Sequence, residues 1–466
     1  MREDTDRLLK LLEGKRVVFV GLGVSNTGLI EQLAKEGVDL TACDRREEEK
    51  LDGTMLKTLR EKGVRLLLGS DYPARFEGDV LFRTPGMYFG APQLSDFRER
   101  GGVVTSETEL FCGLCPCPIF AVTGSDGKTT TTTIIAELLR AEGYTTHLGG
   151  NIGRPVLTEL ENISSKDFAV LELSSFQLIS MRCAPQVSVV TNMSPNHLDV
   201  HKDMDEYIAA KQNIYSHQDA FSTTVLGADS EITAGFAPHV RGLCKTFSLK
   251  TRVRRGAYLR GDGMLCRVDL ETETEIVHRD EVRLPGEHNL ANFLAAISAV
   301  GDMVKPNTAA EVARNFGGVE HRIEFVCRIN GVSWYNDSIA TSPTRAMAGL
   351  ASFNQKIVLI AGGYDKNLSY EPLAEPLTRK VKLLILMGAT AGKIQAALRA
   401  HPGFEEGKPA ILYARDMAEA VGLAHRHSTD GDIVSLSPAS ASFDSYPNFE
   451  MRGRHYKELV TSYIKE

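Results

Sequence analysis

The stretch IFAVTGSDGKTTTTT, residues 119–133, joins an apolar run to a glycine-bearing turn and then to a helical segment. It contains the Gly-Lys-Thr of a phosphate-binding loop, but Val122 stands where the pattern GxxxxGK[ST] has its first glycine. Backbone amides of such a turn bind anions at a helix N-terminus, and Lys128 adds a charge directed at the β- and γ-phosphates. The context predicts a nucleotide site, with an incidental glycine-rich turn as the alternative.

Apolar runs alternate with amphipathic segments on both sides of this stretch, which is typical of parallel sheets covered by helices. The chain is therefore predicted to be α/β. The pattern restarts near residue 107 and again near residue 318, which predicts three successive α/β domains over 1–107, 108–318 and 319–466. Shorter alternating segments at 240–283 indicate a small antiparallel piece within the central domain.

Composition is that of a globular protein with small ligands. Of the 466 residues, 42% are hydrophobic and 24% are charged, and no apolar run is long enough to cross a bilayer. The net charge of -7 argues against a nucleic-acid partner. The charged N-terminal segment does not resemble a secretory signal, so we expect a cytoplasmic protein without membrane insertion.

The eight cysteines are predicted to be reduced, because most of them lie in apolar segments. Cys112, Cys115 and Cys117 form a CxxCxC cluster. Without a fourth ligand nearby, a zinc site is the less favoured interpretation, and we treat the cluster as part of a linker.

Polar residues follow two further strand-like runs of the central domain. Glu172 ends AVLE and His197 follows VSVVTNMSPN, so both are expected at the carboxyl edge beside the loop, where open α/β sheets bind ligands. A carboxylate and an imidazole near phosphates suit Mg²⁺, although each would otherwise be a surface polar residue. Periodicity alone makes Lys211, in DEYIAAKQNIY, a solvated helix-face lysine.

The variant TGSDGKTT at 123–130 resembles the ATP-dependent Mur ligase family and the related folylpolyglutamate synthetases. The resemblance extends over essentially the whole chain. Segments NDSIATSPT at 336–344, GGYDKN at 362–367 and SPASASFDSYPNFEMRG at 437–453 are similar to the D-glutamate-adding members. The DDYAHHPTE-like or DYAHNPD-like segments expected of members that add other amino acids are not present in the sequence.

This resemblance implies a Rossmann-like UDP-binding first domain, a central domain of the P-loop ATPase type and a Rossmann-like third domain. It implies an amide ligase that uses ATP and Mg²⁺, with two metal ions, to join D-glutamate to UDP-N-acetylmuramoyl-L-alanine through an acyl phosphate, in cytoplasmic synthesis of peptidoglycan precursors. A monomer is expected.

The residues implied by the resemblance divide by role. Catalysis is assigned to Lys128, His197 and Lys211, the last as a carbamylated metal ligand. The metal ligands are Thr129, Glu172, His197 and Lys211. ATP binding is assigned to Gly124, Ser125, Asp126, Gly127, Lys128, Thr129, Thr130, Asn292, Arg322 and Asp337.

The amino acid substrate is expected to contact Thr341, Lys366, Ser442, Phe443 and Phe449, since a lysine and hydroxyls suit two carboxylates. Without the resemblance, Lys366 would be a loop lysine and Phe443 a core aromatic. Many family members have a lysine in the motif DSKAT, whereas this chain has Ile339, so a contact made by that lysine is lost here.

The first domain contains GLGVSNTG at 21–28 after a strand, and Asp44 ends the next strand. This is a partial match to a dinucleotide fingerprint with its third glycine displaced, so NAD binding is an alternative. The resemblance instead implies a UDP-sugar site that includes Ser25, Asp44, Arg46, Gly86 and Asn151. A folylpolyglutamate synthetase, an NAD-linked oxidoreductase and a non-enzymatic nucleotide-binding regulator are the competing functions.

Overall fold

The computed structural model describes residues 2–152, 155–194, 200–366 and 368–464, apart from the side chains of residues 2–5, 24 and 25. The first part of the chain forms a parallel sheet with the strand order β3-β2-β1-β4-β5. Its strands are β1 (Arg16–Val20), β2 (Asp39–Asp44), β3 (Arg65–Leu68), β4 (Val80–Arg83) and β5 (Val103–Thr105). Its helices are α1 (Arg2–Leu12), α2 (Val24–Lys35), α3 (Gly53–Glu61), α4 (Pro92–Glu99) and α5 (Glu107–Leu114).

The second sheet has the order β14-β13-β12-β11-β10-β9-β6-β8-β7. Its strands are β6 (Ile119–Thr123), β7 (Thr146–Gly150), β8 (Phe168–Glu172), β9 (Val187–Val190), β10 (Thr223–Gly227), β11 (Leu243–Ser248), β12 (Arg255–Leu259), β13 (Met264–Asp269) and β14 (Thr272–His278). The helices of this region are α6 (Lys128–Ala141), α7 (Ser175–Leu178), α8 (Met204–Ser216), α9 (Glu231–Ala234), α10 (Glu287–Val300) and α11 (Pro306–Asn315). The β12–β13 and β13–β14 pairs are antiparallel, as predicted for this region.

The third sheet has the order β15-β16-β20-β17-β18-β19. Its strands are β15 (Glu324–Ile329), β16 (Val332–Asn336), β17 (Ile357–Gly362), β18 (Val381–Met387), β19 (Ala410–Tyr413) and β20 (Ile433–Leu436). Its helices are α12 (Pro343–Ala351), α13 (Glu371–Lys380), α14 (Ala391–Ala400), α15 (Met417–His427) and α16 (Phe449–Ser462). Short 3₁₀ helices occur at Glu48–Lys50, Gly69–Asp71, Leu157–Asn162, Ala237–His239, Arg279–Glu281 and Gly301–Met303.

The predicted α/β class, with mainly parallel sheets and a small antiparallel piece, is confirmed. By compactness the chain divides into two units: residues 1–281 with 290–313, and residues 282–289 with 314–466. Each predicted domain contains one sheet, and the first two sheets belong to the same compact unit. The exact boundaries near 107 and 318 stay predictions.

A buried arginine joins the first sheet to the second within this compact unit. Arg83, at the end of β4, is 2% exposed and donates hydrogen bonds to the carbonyl of Phe176 at 2.6 Å and to Oγ of Ser180 at 2.6 Å. Burial lowers the pKa of Arg83 to about 10, and the charge of Glu109 acts in the opposite direction. The guanidinium therefore fixes the turn after β4 against α7.

All eight cysteines are free thiols. Cys112 lies in α5, and the Sγ atoms of Cys115 and Cys117 are 3.5 Å apart. Among the residues that the structure describes, no group of three or more His, Cys, Asp or Glu side chains is arranged to hold a metal ion.

None of the helices in the described part of the chain combines the length and the apolar character required to span a bilayer.

Candidate active site

The loop at residues 124–127 connects β6 to α6. Gly127 precedes the helix with φ of 75°, a left-handed conformation that favours glycine, and a Cβ there would lie 2.3 Å from Oδ1 of Asn292. Asn292, on α10, also accepts a hydrogen bond from Thr131 Oγ1 at 3.2 Å. The structure therefore places this predicted ATP-binding residue against the loop itself.

Two residues that sequence reasoning missed support the loop. Asn192 accepts from the Ser125 amide through its carbonyl at 2.9 Å and from the Asp126 amide through Oδ1 at 2.9 Å. The Tyr207 hydroxyl lies 3.0 Å from Ser125 Oγ. The amides of Gly127 to Thr130 lie at the N-terminus of α6, where backbone N–H groups are suited to phosphate oxygens.

Glu172 is 3% exposed at the end of β8, which is adjacent to β6. Its Oε2 accepts a hydrogen bond from Thr129 Oγ1 at 2.6 Å, and its Oε1 accepts one from Asn151 Nδ2 at 2.7 Å. The interpretation of Glu172 as a surface polar residue is therefore wrong. A buried carboxylate beside a hydroxyl at a phosphate-type loop is an oxygen donor set suited to Mg²⁺, which takes one or two carboxylates and completes its shell with water and phosphate oxygens.

Lys211 is also buried, at 2% exposed, so the interpretation as a solvated lysine is wrong. Helix α8 packs on β6 and β9, which turns this side chain inward to donate to the Gly124 carbonyl at 2.7 Å. Lys128 Nζ donates to the same carbonyl at 3.1 Å. Burial first, and the charge of Lys128 second, lower the pKa of Lys211 from 10.5 to about 7.

Two of the predicted site residues cannot be compared with the structure. His197 lies outside the described residues, and the side chain of Ser25 lies outside them as well. The remaining loop residue, Thr130, is 8% exposed in the first turn of α6.

At the carboxyl edge of the first sheet, Asp44 and Arg46 form a forked ion pair. Arg46 donates to both carboxylate oxygens of Asp44, at 2.9 and 2.7 Å, and the Leu22 amide donates to Oδ2 at 2.8 Å. Burial alone would raise the pKa of Asp44, but the hydrogen bonds from Arg46 and Leu22 outweigh it and lower the pKa to about 2. Gly86 is exposed in the turn after β4.

The third sheet has its own polar edge. Asp337, which follows β16, is buried and accepts from Ser437 Oγ at 2.8 Å and from the Ile323 amide at 3.3 Å. Burial raises the pKa of Asp337 to about 7, while these hydrogen bonds and the charges of Arg322 and Arg345 act in the opposite direction.

The residues predicted to bind the amino acid lie at this edge. Lys366 Nζ lies over the Phe443 ring, 5.4 Å from its centroid. Phe443 is 59% exposed, so the interpretation as a core aromatic is wrong. Ser442 is buried, Thr341 is half-buried, and the half-buried Phe449 packs edge-on against His321 with ring centroids 6.0 Å apart.

Comparisons with known proteins agree with this arrangement. The family model of the Mur ligase middle domain matches residues 122–300, and that of the Mur ligase glutamate ligase domain matches residues 321–440. The fold is similar to that of the UDP-N-acetylmuramate-alanine ligase of Thermotoga maritima, with a TM-score of 0.57 at 17% identity, over 96% of this chain and 99% of that one.

Relatives by sequence are much closer. A protein of Acetivibrio thermocellus named UDP-N-acetylmuramoylalanine--D-glutamate ligase is 50% identical over 457 residues, which cover 97% of each chain. A protein of the same name from Clostridium acetobutylicum is 44% identical over 99% of this chain and 100% of that one. The chain therefore belongs to the Mur ligase family, among the UDP-N-acetylmuramoylalanine--D-glutamate ligases.

Proposed function

We propose that this protein is an ATP-dependent acid–amino-acid ligase that joins D-glutamate to UDP-N-acetylmuramoyl-L-alanine, a step in peptidoglycan precursor synthesis. The observation that carries the proposal is the convergence of Lys128, Thr129, Glu172 and Lys211 around one loop, in a chain with near full-length identity to ligases of that name. Within the family, such a site suits transfer of a phosphoryl group to a carboxylate.

The chemistry requires activation because a carboxylate anion resists nucleophilic attack. An oxygen of the alanyl carboxylate attacks the γ-phosphorus of ATP, and the bond from that phosphorus to the bridging oxygen breaks as ADP leaves. The amine of D-glutamate then attacks the carbonyl carbon of the acyl phosphate. The tetrahedral intermediate expels inorganic phosphate, and the amine nitrogen loses its proton as the amide forms.

The chain's own groups neutralise and orient charge in the first of these steps. Lys128 is directed at the β- and γ-phosphates, and the amides at the start of α6 bind their oxygens. Thr129 and Glu172 are the residues that would hold Mg²⁺, together with His197 and a carbamylated Lys211. When bound, Mg²⁺ would offset the negative charges of the carboxylate and the phosphate as they come together. Two ions are proposed.

Further substrate contacts are proposed for the other sheets. Asn292, Arg322 and Asp337 serve the nucleotide, while Ser25, Asp44, Arg46, Gly86 and Asn151 serve the UDP-sugar. Thr341, Lys366, Ser442, Phe443 and Phe449 serve D-glutamate. A cytoplasmic location and a monomeric state are proposed on the same family grounds.

A phosphate-release assay tests the function directly. The purified protein is given ATP, Mg²⁺ and UDP-N-acetylmuramoyl-L-alanine, with D-glutamate, L-glutamate, L-alanine or diaminopimelate as the amine. We expect release that depends on both co-substrates and occurs with D-glutamate. Release that is equal with L-alanine or diaminopimelate, or absent with D-glutamate, contradicts the proposal.

The pH dependence of Lys211 gives a second test. Only a neutral amine reacts with carbon dioxide, and because the pKa of Lys211 is lowered to about 7, its neutral fraction grows as pH rises through that value. Below it, the fraction falls about tenfold per pH unit. We expect NMR of protein equilibrated with labelled bicarbonate to show a carbamate signal that rises over this range and is missing in Lys211→Arg. A bare amine in an active preparation removes the assignment.

Substitutions of Arg46 and of its neighbour Arg45 test whether the first sheet binds the UDP-sugar. We expect Arg46→Met to raise the KM for the UDP-sugar substrate about tenfold or more, because a charged hydrogen-bonding group is lost, and to leave the KM for ATP unchanged. Arg45→Met is the control, since Arg45 lies over the Tyr72 ring. Fluorescence titration that detects binding of reduced nicotinamide to the wild type would instead support an oxidoreductase.

A further inference from the structure

The loop that follows β16 has no cationic side chain of its own. Residues 337–342 read DSIATS and include Thr341, a proposed D-glutamate contact. Strands β16, β20 and β17 are neighbours and parallel, so the loops after them meet at one edge of the sheet. Hydrogen bonds join these loops: the Asp337 amide donates to the Leu436 carbonyl at 2.7 Å, and the Tyr364 amide donates to the Ala441 carbonyl at 2.9 Å.

Arg345 brings a positive charge to this loop from the first turn of α12. Its Nη1 donates to the Ile339 carbonyl at 3.3 Å, which places the guanidinium beside the backbone between Asp337 and Thr341. The side chain is exposed, and this contact uses one of its five N–H donors. Among the described residues, the side chain of Arg345 makes no other hydrogen bond.

Neither the helix dipole nor an ion pair accounts for an arginine at this position, although its charge acts on the buried carboxylate of Asp337. The helix dipole opposes a cation in the first turn of α12, where an acidic residue would be favoured. Among the described residues, no carboxylate forms an ion pair with Arg345, whereas arginines elsewhere on this unit, such as Arg379 with Glu375 at 3.0 Å, have such partners. A guanidinium fork of this kind is suited to a carboxylate that comes from outside the chain.

We propose that Arg345 is a specificity-determining residue that binds one carboxylate of D-glutamate, while Lys366 binds the other. This inference rests on the proposed function. D-Glutamate has two carboxylates, and two cations are present at the edge of the sheet that also contains Thr341: Arg345 in the first turn of α12 and Lys366 in the loop after β17. The guanidinium brings a positive charge to residues 337–342, which have no cationic side chain. Ile339 in this loop contributes only its backbone carbonyl to the contact.

Steady-state kinetics of Arg345→Met and Arg345→Lys test the assignment. We expect Arg345→Met to raise the KM for D-glutamate roughly 10- to 100-fold, as loss of a charge-assisted hydrogen bond predicts, with unchanged KM values for ATP and the UDP-sugar. Arg345→Lys should recover part of the loss, because it keeps the charge without the fork. Arg379→Met, on the surface of α13, is the matched control and should behave as wild type.

Two inhibitors identify the carboxylate concerned. D-Glutamine lacks the side-chain charge, and D-isoglutamine lacks the charge next to the α-carbon. If Arg345 binds a carboxylate directly, Arg345→Met weakens the binding of D-glutamate. The binding of the analogue that lacks this carboxylate then weakens less than twofold. Equal weakening of all three ligands would indicate a structural effect on the loop and overturn the assignment.

The wild type in the same assay distinguishes failure of the Arg345 assignment from failure of the proposed function. D-Glutamate-dependent phosphate release by the wild type, with an unchanged D-glutamate KM in Arg345→Met, overturns the role of Arg345 and leaves the ligase function standing. If the wild type shows no such release, the proposed function fails and the role of Arg345 fails with it. An unchanged thermal midpoint for Arg345→Met shows that the kinetic change comes from a folded protein.

Discussion

Lys128→Ala is expected to abolish measurable ATP binding and to reduce ligase turnover strongly. The ammonium of Lys128 is held at the loop by the carbonyls of Gly124 and Ser125, at 3.1 and 2.9 Å, so it is already positioned where the phosphates are proposed to bind. Removing it takes away a charge-assisted contact and leaves phosphate oxygens without a counter-charge in a partly buried site. Turnover should fall by about 10²-fold or more.

Isothermal titration calorimetry with ATP and Mg²⁺ measures the first of these effects. Lys166→Ala, at an exposed lysine in the loop before β8, is the control and should bind as the wild type does. ATP affinity that is unchanged in Lys128→Ala would mean that the turn between β6 and α6 is not the phosphate site.

Glu172→Gln is expected to have the second large effect. The amide has nearly the same size and keeps one oxygen that can accept from Thr129, so the contact at 2.6 Å remains possible. Its NH₂ group would face Asn151 Nδ2, so the contact at 2.7 Å is kept only if the Asn151 amide turns its oxygen toward it. The negative charge is lost, however, and with it the carboxylate that Mg²⁺ prefers over an amide. We expect kcat to fall about 10²-fold or more and the Mg²⁺ concentration needed for half-maximal rate to rise.

Magnesium titrations of phosphate release check this result, with Glu159→Gln at an exposed position as the control. A Glu172→Gln enzyme with the wild-type kcat and the wild-type magnesium requirement would show that this carboxylate does not act on the metal.

The sequence predicts the nucleotide loop well because its signal is local. The loop consists of elements that follow one another along the chain: a strand, a glycine turn, Lys128 and a helix. Each of these elements depends on residues that are close to it in sequence. The α/β class follows for the same reason, since apolar runs and amphipathic segments alternate over short distances. The antiparallel strand β15 was not predicted, because a short strand at the edge of a mainly parallel sheet leaves little periodic signal.

The supporting residues could not be predicted from local patterns. Lys211 lies on a helix whose polar residues are indistinguishable by spacing, and its burial arises from packing of α8 on the second sheet. Asn292 reaches Thr131 across 161 positions of sequence. The family resemblance pointed to both, whereas Asn192 and Tyr207, which support the loop, were missed because only the tertiary contacts reveal them.

The interpretation of Phe443 as a core aromatic was wrong for a different reason. Phenylalanine is an apolar residue, but Phe443 lies in a loop among Ser and Asp residues. Exposure of its ring to water costs little free energy if a ligand covers it. Its contact with Lys366 indicates a surface that holds the cation of the loop after β17 in place.

In the proposed reaction, the carboxylate of the bound UDP-sugar takes the terminal phosphoryl group of ATP before the amine attacks. Its most direct test uses UDP-N-acetylmuramoyl-L-alanine with isotopically labelled alanyl carboxylate oxygens, followed by mass analysis of the phosphate released with D-glutamate. We expect each phosphate to carry one labelled oxygen from the carboxylate. Phosphate that forms along with the amide product but carries no label would contradict it.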